Sequence, residues 1–282
     1  MAAEAVARRF GLAVREPVVV GGYSNTIVRL APLPVVARIA TGTSLVRNGP
    51  AWLEREVDVA RHLAAADAPA VRPSALVEAG PHSHEGLTMT FWELVEIRPD
   101  PIDPRLAART LRQCHEVLDG YRGALPTWAA IDEASRLLDH PLVVSALGAE
   151  EREVLQSAAE RVGTVMRSGG VTLRPLHGDA HGQNLWNTSV GPIWGDWEDA
   201  FAGPAEWDLA CLVSASAVLG DGSEAAEVLR CYGGSVDEAM LDHMIEARTL
   251  QAIVWAALLL PDAERNPKLL ARLEWLRTRL RP

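Results

Sequence analysis

The chain has 282 residues, 48% of them hydrophobic, enough for one large domain or two modest ones packed together. Its formal net charge of −10 excludes nucleic acid or an anionic membrane as the main partner, because both demand basic surface. Three scattered cysteines (Cys114, Cys211, Cys231) exclude a disulfide framework and a paired-cysteine metal site, and the only lysine, Lys268, excludes lysine chemistry near the N-terminus.

The first residues, MAAEAVARRFG, predict an amphipathic helix and lack the apolar core of a signal peptide. No apolar run approaches the roughly 18–20 residues of a membrane span. The longest, Ala252 to Leu260, is interrupted by Pro261. A cytoplasmic protein is expected. Short β-rich runs follow at Pro17–Val20, Thr26–Leu30, Val35–Ala40 and Leu87–Trp92. The segment Val20-Gly21-Gly22-Tyr23-Ser24-Asn25 reads as a hairpin turn, and Pro32 and Pro34 mark the next one. One helix, about Pro50 to Ala65, carries Leu53, Val57, Ala60 and Leu63 at helical spacing. His82 and His84 lie in a loop-like stretch between Gly80-Pro81 and Glu85-Gly86.

The texture changes near residue 98, which divides the chain into an expected N-terminal unit, 1–97, and a C-terminal unit, 98–282. Asp103-Pro104 opens a helix with Leu106, Leu111, Cys114 and Leu118 on one side, and Ala149 to Met166 repeats the pattern. Two or three further helices are expected over 205–280. Between them lies a non-helical island, Val171 to Gly203, dense in Gly, Asp, Asn and Trp. It reads as a short apolar strand, the polar loop His177-Gly178-Asp179-Ala180-His181-Gly182-Gln183-Asn184, and a hairpin that returns Asp196 towards that loop. A hard divalent cation takes one or two carboxylates from a protein and completes its shell with water and phosphate. Asn184 and Asp196 suit that role and leave Asp179 to accept a proton from a substrate hydroxyl.

His177-x-Asp179-x-x-x-x-Asn184, followed twelve residues later by Asp196 and then by Asp199-Ala-Phe-Ala-Gly-Pro-Ala-Glu-Trp-Asp208, resembles the aminoglycoside phosphotransferase and choline kinase families. The resemblance implies an α+β, bilobal, protein-kinase-like fold with a small β-rich N-lobe and a larger, mostly helical C-lobe. It implies a small-molecule kinase using ATP, with GTP as the other donor it allows, and Mg²⁺. Asp179 becomes the catalytic residue, Asn184 and Asp196 the metal ligands, and His177 and Asp208 structural supports. The Gly22 turn would lie over the phosphates, with Ser24 and Asn25 adding polar contacts. Arg38 would take the place of the protein-kinase lysine, with Glu56 as its partner on the following helix and Glu54 as the rival. Phe91–Glu96 would be the hinge, where the backbone at Glu93 and Val95 meets the purine.

His181 is open between lining the acceptor pocket and capping its turn. Residues 175 to 221 hold no Lys or Arg but do hold Asp179, Asp196, Glu198, Asp199, Glu206 and Asp208. That bias predicts a cationic acceptor met by His181, Glu198 and Asp199, with an aminoglycoside or related antibiotic as the example. The oligomeric state is left open. Two alternatives are a catalytically silent nucleotide-binding protein of the same fold and a metal-dependent hydrolase using His82, His84, His177, Asp179 and His181.

Overall fold

The computed structural model of the chain describes residues 1–22, 24–260 and 266–280. Tyr23 of the turn and Pro261 lie outside them. Helix α1 (Ala2–Arg9) precedes strands β1 (Glu16–Gly21), β2 (Asn25–Ala31) and β3 (Val35–Ala40), then α2 (Ala51–Ala65), β4 (His82–His84) and β5 (Leu87–Glu93). The five strands form one antiparallel sheet in the order β1-β2-β3-β5-β4. Alternation decides its faces. Val28, Leu30, Val35, Ala37 and Ile39 pack with Ala3, Val6 and Ala7 of α1. Arg38, between two of those inward residues, points to the opposite side, where α2 runs. The stretch expected to be a loop at His82–His84 is instead a strand. Glu85 and Gly86 both have positive φ (50° and 78°), the geometry of a two-residue hairpin turn, and they fold Ser83 onto Thr88.

Helix α3 (Pro104–Leu118) starts where Asp103 accepts the Arg105 N–H at 2.9 Å. It is followed by α4 (Ala129–Leu137), α5 (Pro141–Ala146) and α6 (Ala149–Arg167). The island contains β6 (Arg174–Leu176), β7 (Leu185–Trp186), β8 (Ile193–Trp194) and β9 (Phe201–Gly203), pairing as β6–β9 and β7–β8. Four helices then follow, α7 (Ala205–Leu219), α8 (Ser223–Tyr232), α9 (Glu238–Leu259) and α10 (Pro267–Thr278), where two or three were expected. The difference lies in α7 and α9: they are apolar on most sides, so no amphipathic stripe marks their ends. A continuous core runs from Val57 and Leu63 of α2 through Leu111 and Leu118 of α3 to Trp194, Trp197 and Trp207. The island is therefore clamped between sheet and helices.

Candidate active site

A cavity of about 420 Å³ opens between the sheet and the island. Gly22, Ser24, Asn25, Arg38, Glu56, Glu93 and Val95 all line it, and so does Asp196. Ile27, Val36, Val71, Trp92, Leu94, Ile97 and Trp186 supply apolar walls that the sequence did not single out. At one end Gly22 has φ of 148°, and a Cβ there would sit 2.2 Å from the Asn25 carbonyl oxygen. Only glycine lets the turn fold back this tightly.

Arg38 is the electrostatic hub. Its Nη1 donates to Glu56 Oε1 at 2.7 Å; its Nη2 meets Asp196 Oδ1 at 2.6 Å and Glu198 Oε2 at 2.7 Å. Glu54 is exposed and takes no part. The Asn25 amide completes the cluster, 2.7 Å from Arg38 Nη2 and 2.8 Å from Thr43 Oγ1, with its oxygen on the guanidinium and its nitrogen on the hydroxyl. Burial opposes the charge on Arg38, but Asp196, Glu198 and Glu56 together hold its pKa above the ordinary value. Burial pushes Glu56 up to about 7 against the pull of Arg38. Burial also raises Glu198, which is only 3% exposed. One guanidinium is too little for three carboxylates, and a further cation would relieve the excess.

The loop between β6 and β7 is held by buried polar groups. Asp208 of α7 accepts the backbone N–H of His177 at 2.7 Å and of Gly178 at 2.9 Å, and also His115 Nε2 at 2.8 Å. His115, unmarked in the sequence, is fixed in turn by Tyr232 Oη at 2.7 Å. Burial alone would raise Asp208, yet the His115 hydrogen bond and the neighbouring histidines lower it. Gly178 has φ of 88°, and a Cβ there would lie 1.9 Å from the Asp199 carbonyl oxygen, so the loop runs directly against the island's second turn. The His177 ring lies edge-on to Trp194 and tilted against Trp197 and donates from Nε2 to the Gly195 carbonyl at 2.9 Å; burial lowers its pKa.

Asn184 Nδ2 donates to Asp179 twice, to the backbone oxygen at 2.9 Å and to Oδ2 at 3.1 Å. His181 Nε2 lies 3.1 Å from the same Oδ2, while its Nδ1 accepts the Gln183 N–H at 3.2 Å. His181 thus both caps its turn and faces Asp179. On the other side Arg248 of α9 places Nη1 2.7 Å from Asp179 Oδ1. Burial would raise Asp179, but Arg248 and His181 hold it far below the usual carboxylate range. No local motif points to Arg248, 69 positions downstream. Among the described residues Asn184 Oδ1 and Asp196 Oδ2 have no protein partner. One neutral and one anionic oxygen left over beside the cavity fit a hard divalent cation that takes its other ligands from phosphate and water.

Glu198 and Asp199, expected to face the acceptor, are engaged by arginines instead. Glu198 belongs to the Arg38 cluster. Asp199 Oδ1 accepts from Arg47 Nη2 at 2.5 Å, and Arg47 also holds Glu133 of α4 at 2.7 and 2.9 Å. The stretch 175–221 lacks arginine but the site does not, because Arg38, Arg47 and Arg248 reach it from elsewhere and offset its acidity. His82 and His84 of β4 do not join Asp179 and His181 as the hydrolase alternative requires: His82 sits at the sheet edge with Phe10, Phe91 and Glu78. Among the described residues no three His, Cys, Asp or Glu side chains are placed to hold a metal.

The sequence profile of the phosphotransferase enzyme family, APH, matches residues 18–244. The chain belongs to that family. It is a small-molecule phosphotransferase with the bilobal, protein-kinase-like fold. Solved structures agree on the fold. The amicoumacin kinase hAmiN, solved with AMP-PNP, Ca²⁺ and Ami, has a TM-score of 0.71 at 12% identity over 94% of this chain and 87% of its own. Choline kinase LicA from Streptococcus pneumoniae has a TM-score of 0.68 at 16% identity over 99% of each chain. The GDP and kanamycin complex of APH(2")-IIia has a TM-score of 0.62 at 17% identity over 95% and 93%. No curated protein sequence matches the chain. Among the described residues no helix is long and apolar enough to cross a membrane.

Proposed function

We propose that the chain transfers the γ-phosphoryl group of a magnesium-bound nucleoside triphosphate, ATP first and GTP second, to a hydroxyl of a small molecule. The observation that carries this reading is the convergence of Gly22, Arg38, Glu56, Glu93 and Val95 on one cavity that ends at Asp196, beside the bonded pair Asp179 and Asn184. In this reading residues 1–97 form the nucleotide-binding lobe and 98–282 the catalytic and acceptor-binding lobe. The apolar walls take the base, and the backbone at Glu93 and Val95 meets its edge. The turn at Gly22 and Ser24 covers the phosphates. Arg38 offers them a permanently charged fork, with Glu56 holding it in place and Asn25 steadying it from the side.

Asn184 and Asp196 would hold Mg²⁺, which when bound neutralises phosphate charge. Asp179 orients the acceptor hydroxyl. It takes the proton late, which a loose phosphoryl-transfer transition state permits. His177 and Asp208 keep the loop rigid. Antibiotics, choline-like amines, sugars and hydroxy-amino acids are the acceptors to compare, since similar folds include an amicoumacin kinase and a choline kinase.

The test is mass spectrometry of such a panel after incubation with Mg-ATP or Mg-GTP, alongside Asp179→Asn. Turnover of the variant should drop about 10²–10⁴-fold with nucleotide affinity nearly intact. Near-normal turnover would remove Asp179 from the reaction. Nucleotide binding without transfer to any compound would favour the silent reading.

A further inference from the structure

Helix α9 puts Arg248, Gln251 and Trp255 on one face, three and seven residues apart. Trp255 stands 5.6 Å from the Arg47 guanidinium and Arg248 stands on Asp179, so this face borders the acceptor side of the site. The Asp179 carboxylate has no open oxygen. Oδ2 is occupied by Asn184 and His181. Oδ1 is buried and accepts no aligned hydrogen bond, yet Arg248 Nη1 covers it at 2.7 Å. Oδ1, which accepts no aligned hydrogen bond, is the oxygen open to exchange, and a hydroxyl that reaches it takes the place of Arg248.

That exchange strands a guanidinium. Gln251 binds the same Nη1, and among the described residues Nε and Nη2 of Arg248 donate to nothing. The side chain is 14% exposed. Displaced from Asp179, Arg248 keeps only the neutral Gln251 oxygen and needs a new anionic partner, and an incoming ammonium would set a second positive charge beside it.

We propose that Arg248 is the specificity-determining residue of the acceptor site, selecting hydroxyl compounds that carry a carboxylate or other anionic oxygen group a few bonds from the reacting hydroxyl. The group draws Arg248 off Oδ1 as the hydroxyl arrives, so recognition and access to Asp179 are one event. This inference rests on the reading of Asp179 as the residue that orients the hydroxyl.

The experiment uses the full chain and matched acceptor sets bearing one hydroxyl pattern with a carboxylate, a neutral group or an ammonium. Glycerate, glycerol and 3-aminopropane-1,2-diol form the smallest set, and larger homologues extend it. Transfer from Mg-ATP is followed by mass spectrometry, and binding by the thermal shift of protein saturated with Mg-ADP. The carboxylate members should be the better acceptors and ligands by about 10- to 100-fold, the worth of one charge-assisted hydrogen bond. Arg248→Met should raise KM for the best carboxylate acceptor by a similar factor and leave KM for ATP within about twofold, with Arg248→Lys in between. Preference for the ammonium members, equal response to all three classes in both assays, or an unchanged acceptor KM in Arg248→Met overturns the proposal. Should the variant not fold, the wild-type ranking decides alone. Failure of the kinase reading looks different: no stabilisation by Mg-ATP, or undiminished transfer by Asp179→Asn.

Discussion

At Arg38 a single guanidinium that faces the cavity also neutralises carboxylates from α2 and from two positions in the island. Removing one partner from a buried charge cluster leaves the rest uncompensated, at a cost of about 3–5 kcal/mol. Arg38→Ala should therefore both raise KM for nucleotide and lower stability by roughly that amount. Glu56, already raised to about 7, tolerates neutralisation, so adding Glu56→Gln to Arg38→Ala should recover part of the loss. Urea denaturation of the single and double variants checks this; unchanged stability in Arg38→Ala would mean that the ion pairs contribute nothing. The pairing with Glu56 was implied by the family resemblance, and helical spacing favoured Glu56 over Glu54. The claims of Asp196 and Glu198 on the same guanidinium were not, because they come from 158 and 160 positions away and only the closing of sheet onto island brings them there.

The polar loop from His177 to Asn184 depends on elements outside itself. Asp208 supplies oxygens to two backbone N–H groups and to His115. Asp208→Asn would turn an NH2 towards one of these donors and should cost about 3 kcal/mol, as hydrogen bonds to a charged group are worth about 1.5–3 each. It should also lower kcat, because the loop carries Asp179; circular dichroism melts beside turnover test both. Two groups here make stability depend on pH. The folded pKa of His177 is lowered by burial, so below about 6.5 only the unfolded chain takes up its proton and stability falls on acidification. The folded pKa of Asp208 is lowered too, so its contribution is complete above its unfolded value and is lost as pH falls through the folded one. His177→Asn should flatten the slope of unfolding free energy against pH between about 5 and 7, by at most about 1.4 kcal/mol per pH unit. An unaltered slope would mean that His177 takes up its proton as readily in the folded protein as in the unfolded chain.

Across the whole molecule the two halves are joined by more than the hinge. Arg47, in the segment after β3, reaches Glu133 of α4 and Asp199 of the island, and lies 5.7 Å from the Trp52 ring of α2 and 5.6 Å from the Trp255 ring of α9. Arg47→Met should lower stability by about 3–5 kcal/mol, since it leaves the buried Glu133 and the half-buried Asp199 without their cation. Unfolding followed by calorimetry should broaden, and saturating Mg-ADP, which in the proposed reading touches both halves, should restore part of the loss. A single sharp transition at the wild-type temperature would show that Arg47 does not tie the halves together.

Much was written in the sequence itself. The alternating runs of β2, β3 and β5, the glycines at 22 and 178 and the spacing of Asp179, Asn184 and Asp196 are local signals, because period, turn and loop chemistry act over a few residues. Local signals also mark the start of α3 at Asp103-Pro104. They miss what long contacts decide: the strand at His82–His84, the ends of α7 and α9, and the partners His115, Tyr232, Arg47 and Arg248. The acidity of the island was legible as composition, but its electrostatics were not. Coulomb forces depend on distance in space, and it is the packing of β3, the segment after it and α9 around the island that sets Arg38, Arg47 and Arg248 among its carboxylates.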